Sequence, residues 1–210
     1  MENTANRITV TGELRQLPEF SHTNHGRKFY RLLLGVERLS GTEDLLPVIA
    51  AEDTLQRAGL FSGERFCVTG QLRSCSSRLP EGRKLLIYVF AASLDTTQQP
   101  PENDVQLQGA VCKPPIFRRT PLGREICDLM LRVPRPYDRS DYIPVILWGR
   151  LAQSAAGLCA GARIRVTGRL QSREYVKQLE TGPETRTAYE LSAGGFEPVE
   201  EEAQNFTEYF

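Results

Sequence analysis

The 210-residue chain contains no apolar run approaching the ~18 residues a membrane span needs, and its opening MENTANRITV is too polar for a secretory signal. A cytoplasmic protein with no membrane contact is therefore expected. Cysteine is scarce: Cys67, Cys75, Cys112, Cys127 and Cys159 are odd in number and never spaced CxxC, which argues against a zinc ribbon or a disulfide framework. Histidine is scarcer. His22 and His25 share the loop-like SHTNHG with no third ligand nearby, so no metal centre is expected. The chain also lacks a phosphate-binding glycine loop, a cysteine–histidine nucleophile pair and metal-binding carboxylate clusters, so neither an enzyme nor a cofactor is expected.

Net charge is missing as well, with 26 basic against 26 acidic residues. The zero is a sum of unlike parts. Residues 1–95 hold 12 Lys and Arg against 11 Asp and Glu; residues 102–198 hold 14 against 11; residues 199–210 hold none against 4. An acidic tail masks a basic second half.

What is present is a repeat. A shift of 97 superimposes Asn6 on Asn103, Gly12 on Gly109, Pro18 on Pro115, Phe20 on Phe117, Leu34 on Leu131 and Pro47-Val48-Ile49 on Pro144-Val145-Ile146. A shift of 98 lays GERFCVTG (63–70) on GARIRVTG (161–168). The chain reads as a duplicated domain: a first copy over 1–95, a linker at 96–102 within the polar, proline-paired TTQQPPEND, a second copy over 103–198, and the tail 199–210.

In the second copy VQLQGAV alternates as a strand and KPPIFRRTPLG reads as a loop. EICDLMLRV and YIPVILWG read as strands, RLAQSAAGLCAG as a helix ending in glycine, and RIRVTGRLQSR and TAYELSAGGF as two more strands. Five short strands with a helix after the third is the order of an OB barrel. The expected fold class is all-β with one short helix per barrel, as two tandem OB barrels.

NDVQLQGAV, PVILWGRLAQ and GARIRVTGRLQSREY resemble the bacterial single-stranded DNA-binding protein family over residues 103–198, while the first copy resembles it in framework only. The resemblance implies sequence-tolerant binding of single-stranded DNA in replication, recombination or repair, a nucleoid-associated location, and four barrels per assembly. A chain with two barrels then forms a homodimer. It implies base-stacking roles for Trp148, Tyr142 and Tyr175, and for Tyr137 across a loop of variable length; the tyrosines stand where tryptophan is commoner.

The residue pattern leads to the same chemistry. Aromatic rings stack on any base, worth about 1–3 kcal/mol each. In YIPVILWG, alternation sends Ile143, Val145 and Leu147 to the core and Tyr142, Pro144, Ile146 and Trp148 to the other face. Stacked bases or another subunit would each cover that face. On the next strand Arg163, Arg165, Thr167, Arg169, Gln171 and Arg173 alternate with core positions, a row that is either solvated or neutralised by phosphates. Phe117, Arg118 and Arg119 in the first loop, with Arg135, Arg139 and Arg150, extend the expected patch. In the first copy Leu45, Ala51 and Ser77 occupy the places of Tyr142, Trp148 and Tyr175, leaving Phe20, Arg15, Arg27, Lys28, Arg31 and Arg38 for an accessory role. Two other readings are compatible with the pattern: an OB-type replication or primosome adaptor in which nucleic-acid binding is secondary, and an RNA binder.

The tail EPVEEEAQNFTEYF resembles the acidic, phenylalanine-ended segment with which family members dock on replication and repair enzymes. Glutamates replace aspartates, no proline precedes Phe210, and the glycine- and glutamine-rich spacer is missing. Tyr209 and Phe210 are the expected partner anchors, and the glutamates the expected competitors for the arginine row. Removing residues 200–210 is expected to tighten strand binding at low salt and abolish capture of such enzymes; a truncated chain with unchanged affinity and partners would make the tail a solubilising end.

Overall fold

The computed structural model describes residues 5–60, 63–79, 82–179 and 182–199. Tyr209, Phe210 and the glutamates of the tail lie outside the described residues. In the first half, alternating apolar residues build β1 (Asn6–Asn24), β2 (Arg27–Glu37), β3 (Glu43–Ala51), β4 (Arg65–Leu79) and β5 (Gly82–Thr96), with α1 (Glu52–Ala58) between β3 and β4. β1 pairs with both β2 and β4, and β3 pairs with β2 and, in parallel, with β5. The ring β1-β2-β3-β5-β4 is thereby closed, the OB order.

The second half repeats it with β6 (Glu102–Val111), β8 (Glu125–Arg135), β9 (Arg139–Trp148), α2 (Arg150–Ala155), β10 (Arg163–Leu179) and β11 (Gly182–Pro198). β6 closes on β8 through Ala110↔Arg132 and Val111↔Leu131. Gly109 makes that approach feasible, since a Cβ there would collide with the Arg132 carbonyl, as one on Gly12 would with Gly35.

Three details depart from the sequence expectation. The segment expected as a loop contains a short strand, β7 (Ile116–Arg119), paired with β8. In the first half the matching residues continue β1 without a break. The difference is Pro114-Pro115, which removes two consecutive backbone donors where the first half has only Pro18. α2 stops at Ala155 rather than running to Gly161, because Gly157 already interrupts it. β10 and β11 run longer than expected and form an extended arm with its tip at Leu179↔Gly182.

The halves join as one sheet. β1 pairs antiparallel with β6, and Ile8 opposes Val105, its own copy under the 97-residue shift. A local two-fold axis therefore passes through that pair. Both residues are fully buried, and one apolar core runs from Leu34 and Val48 through the seam to Leu131 and Val145. The polar contacts obey the same symmetry. The Asn6 side chain donates to the Leu72 carbonyl (2.7 Å) and accepts from its N–H (2.8 Å); Asn103 does the same at Leu170 (2.7 and 2.9 Å).

Further out, each arm is held by the opposite half. Asp44 on β3 accepts from the Ser172 N–H (2.6 Å) and hydroxyl (2.9 Å) on β10, and Asp141 on β9 accepts from the Ser74 N–H (2.7 Å) on β4. Arg38 braces the first joint, bonding both Asp44 oxygens (2.6 and 2.7 Å) and the Ser172 carbonyl (2.9 Å). Burial pushes the Asp44 carboxyl upward, but the Arg38 guanidinium and the Ser172 donors outweigh it and hold the group below its ordinary value.

Replacing Asp44 with Ala leaves Arg38 without its buried partner and is expected to cost about 3 kcal/mol. That is a fall in Tm of roughly 6–12 °C for a chain of this size. Because the folded pKa lies below the unfolded one, this stabilisation is complete above the ordinary carboxylate value near ~4 and is lost as pH falls through the lower folded value. The Tm gap between wild type and Asp44→Asn should therefore be constant near neutrality and narrow below about pH 4.

Candidate nucleic-acid interface

β9 carries the centre of the site because its alternation divides the strand. Ile143, Val145 and Leu147 are buried in the barrel, while Tyr142 and Trp148 remain 45% and 39% exposed on the outer face. Pro144 between them is half-buried and Ile146 is buried. Across the ladder, β8 sets Ile126 opposite Trp148, Asp128 opposite Ile146, Met130 opposite Pro144 and Arg132 opposite Tyr142. Opposed residues share a face about 5 Å apart, so these four pairs form one track along two strands.

β7 widens the track at the Trp148 end. Arg118 opposes Ile126, giving a row Arg118–Ile126–Trp148 across three strands. Its Nε bonds Asp128 at 2.7 Å, a contact that raises the Arg118 pKa above its ordinary value. Phe117 and Arg119 oppose Cys127 and Glu125, the alternate face of β8, so they flank the row rather than join it. Arg119 bonds Glu125 at 2.8 Å. The Gln153 amide and then Arg119 hold the Glu125 carboxyl below its usual value. Arg150 follows directly on the Trp148-Gly149 corner and is exposed.

Other expected residues lie elsewhere. Tyr137 is 94% exposed at the β8–β9 turn, and Arg135 is half-buried against Asp141 (3.4 Å). The arginine row on β10 lies two strands from β9 in the closed ring, about two-fifths of the way round a five-stranded barrel. Arg163, Arg165 and Arg169 thus face away from Trp148. Nor is the row free of counter-charge: Arg165 pairs with Glu197 on β11 (2.6 Å), Arg169 bonds Gln171 (3.3 Å), and Arg163 is engaged too. Arg173 approaches Glu190 at 3.9 Å and lies over the Tyr175 ring at 5.7 Å, on the arm that reaches across to the first half. The carboxylates missing along β10 come from its neighbour strand, a pairing that spacing along one strand does not reveal.

The first half replaces the aromatic surface with a covered one. The pair Ile126–Trp148 becomes Phe29–Ala51 across β2 and β3. Phe29 is buried, stacked beneath His22 (5.0 Å, 10°) and packed on Phe90 (5.8 Å), with the Arg73 guanidinium 5.9 Å from the Phe90 ring. Phe20 stays exposed, edge-on to Tyr30 at 5.9 Å. Sequence reasoning missed this cluster and also Arg132, whose place beside Tyr142 depends on the β8–β9 register.

Among the described residues no group of His, Cys, Asp or Glu is arranged to hold a metal, and no helix is long and apolar enough to cross a membrane. The arrangement is an outward strip of rings bordered by guanidinium groups, a geometry suited to stacking.

Comparison with known proteins bears on this geometry. The profile of the single-strand binding protein family matches residues 102–199. A single-stranded DNA-binding protein of Clostridium tetani is 35% identical over 80 residues, covering 35% of this chain and 55% of that protein. Single-stranded DNA-binding protein 2 of Streptococcus agalactiae is 30% identical over 109 residues, covering 49% of this chain and 80% of the relative. The wild-type single-stranded DNA binding protein of Thermus aquaticus shares the fold across both halves, with a TM-score of 0.74, 24% identity and 93% of each chain covered. With the second half matched end to end by the family profile and 80% of a relative covered at 30% identity, this chain belongs to the single-strand binding protein family.

Proposed function

We propose that the chain binds single-stranded DNA without regard to base order and protects it during replication, recombination or repair in the cytoplasm, at the nucleoid. The observation that carries this reading is the outward exposure of Trp148 and Tyr142 on one barrel face, with Arg118 and Arg132 in the same track. Large rings grouped on one exposed face mark a contact surface, and bases of a single strand would cover these by stacking while their phosphates meet the arginines. Stacking accepts any base but needs it unpaired, so the selectivity is for single strands.

The division of labour follows the divergence of the halves. We assign residues 103–198 as the main binding domain, 1–95 as the structural and accessory barrel, 96–102 as the linker and 199–210 as a tail that recruits enzymes through Tyr209 and Phe210. Tyr175 and Tyr137 extend contact beyond the central strip, and Arg119, Arg135, Arg150, Arg163, Arg165, Arg169 and Arg173 supply positive potential around it. Two chains pair to bring four barrels together. The covered aromatics of the first half favour a second reading, an adaptor in replication or primosome assembly for which strand binding is secondary.

Trp148 is the only tryptophan, so its fluorescence reports the central contact alone. Oligo-dT should quench it, and Trp148→Ala should weaken binding about 5- to 100-fold, the range for one stacked base, against little change for Phe20→Ala. Affinity should fall linearly on a log–log plot against salt. The adaptor reading predicts no quenching and no salt slope; a larger effect of Phe20→Ala would place the main site on the first barrel. Sedimentation at micromolar concentration should give a dimer, and a monomer would remove the four-barrel assembly.

A further inference from the structure

Below Tyr142 the track runs into a cleft of about 610 Å³ between the β8–β9 turn, the end of β6 and the start of β10. Among the described residues its lining includes Arg132, Arg135, Arg139 and Arg163, the last already engaged, against one acidic residue, Asp138. Neither Arg132 nor Arg139 has an ion-pair partner among the described residues. Arg135 does have one, but shares it. Asp141 takes both Arg135 (3.4 Å) and Arg73 (3.2 Å) and is already bonded to the Ser74 N–H, so two guanidinium groups meet one carboxylate. Burial first, and then the neighbouring Arg135 guanidinium, push the Arg73 pKa below its usual value.

The duplicated half supplies an internal control. The matching cleft of about 350 Å³ keeps Gly12 and Arg65 where this one has Gly109 and Arg163. There, however, Gly35 stands in place of Arg132, and Glu13 and Glu43 neutralise Arg15 at 2.9 and 2.7 Å. Its joint is balanced too, one Arg38 for one Asp44. Excess positive charge is thus peculiar to the second half, the half that bears Trp148. The turn at its lip is also unlike its counterpart. Tyr137 and Asp138 adopt left-handed backbone (φ 62° and 53°) where the first half uses Gly41 (φ 79°), at a cost of about 1–2 kcal/mol per residue. That conformation presents Tyr137 fully exposed above the arginines.

We propose that this cleft is the phosphate-binding end of the single-strand track: the backbone of a strand whose bases stack on Trp148 and Tyr142 continues past Arg132 into the cleft, held by Arg132 and Arg139, with Tyr137 against the next base. This rests on the proposed strand-binding function and adds its direction and extent. Trp148 and Arg139 are nine residues apart on one strand, roughly 30 Å at the rise of a β-strand, so a short oligonucleotide can occupy the stacking strip without reaching the cleft.

The test compares the full chain with the Arg132→Ala/Arg139→Ala variant, using labelled oligo-dT of about 6 and about 30 nucleotides read by anisotropy and by Trp148 fluorescence. The variant should lose a few-fold on the short strand, which still meets position 132 beside Tyr142, and at least tenfold more on the long one, which alone reaches position 139. Its log–log salt slope should be shallower by about 1.4, two phosphate contacts at about 0.7 each. Arg132→Lys/Arg139→Lys should recover most of the loss, and an unchanged Tm would show that the fold is intact. Equal loss on both lengths would overturn the inference, because the arginines would then belong to the stacking strip. So would unchanged or tighter long-strand binding, which would make the cleft a site for the chain's own glutamates at 200–202. If the wild type binds the long strand without quenching Trp148, the stacking reading fails and the cleft is judged on the anisotropy difference alone; if it binds neither strand, both readings fail.

Discussion

Two carboxylates hold this molecule in one shape. Asp44 and Asp141 are each fully buried, and each belongs to one half while gripping a serine on the arm of the other. A buried charge stripped of its donors is costly, so neither arm can lift without exposing or stranding an ion. The β1–β6 seam fixes how the barrels abut, and the serine grips fix how far each arm swings. The face of β9 is therefore presented at a fixed angle to the first barrel, which its Tyr142 end touches through Ser74 (2.8 Å).

Duplication with a two-fold axis would make both ends of the molecule equal, and departures from equality show where function has acted. The seam asparagines and joint aspartates occur in both halves with nearly equal bond lengths. What differs is the outer surface. At one cross-strand pair a tryptophan in the second half becomes alanine in the first, and the ring moves to the neighbouring strand as Phe29, where His22 covers it. Aromatic bulk on that face is retained while exposure is lost. A packed ring stabilises a barrel, whereas an exposed one is free to meet a ligand; the first half has the former and the second the latter.

The repeat, the barrel order and the division of β9 into inner and outer faces were legible in the sequence because each depends on residues close in sequence or on one period. Ile143, Val145 and Leu147 point inward as their alternation requires. The arginine row of β10 was legible as a row and illegible as an environment. Glu197 reaches Arg165 across a ladder whose register is set by a bulge between Thr167 and Gly168, and Glu190 meets Gln171 deep in the arm. Registers between distant strands decide such pairings. β7 shows the opposite failure: its proline pair and turn residues read as a loop, yet closing the sheet edge over β8 gave four residues a ladder to join.

Internal pairing also bears on how, under the proposed function, a chain of zero net charge would attract a polyanion. Arg118 with Asp128, Arg119 with Glu125 and Arg165 with Glu197 are exposed or half-exposed pairs, whose net worth in water is about 0–1 kcal/mol each. A phosphate arriving beside such a guanidinium need only displace a weakly held carboxylate. The pair Arg38–Asp44 differs, because Asp44 is out of reach of solvent and its bonds complete the joint. The same residue types therefore do two kinds of work, separated by burial: exposed pairs keep arginines in place for exchange, and buried ones lock the frame. A chain that advertised all its arginines as bare positive charge would repel itself across the sheet. Holding Arg118, Arg119 and Arg165 in exchangeable pairs leaves Arg132, beside Tyr142, as the unpaired guanidinium of the track among the described residues.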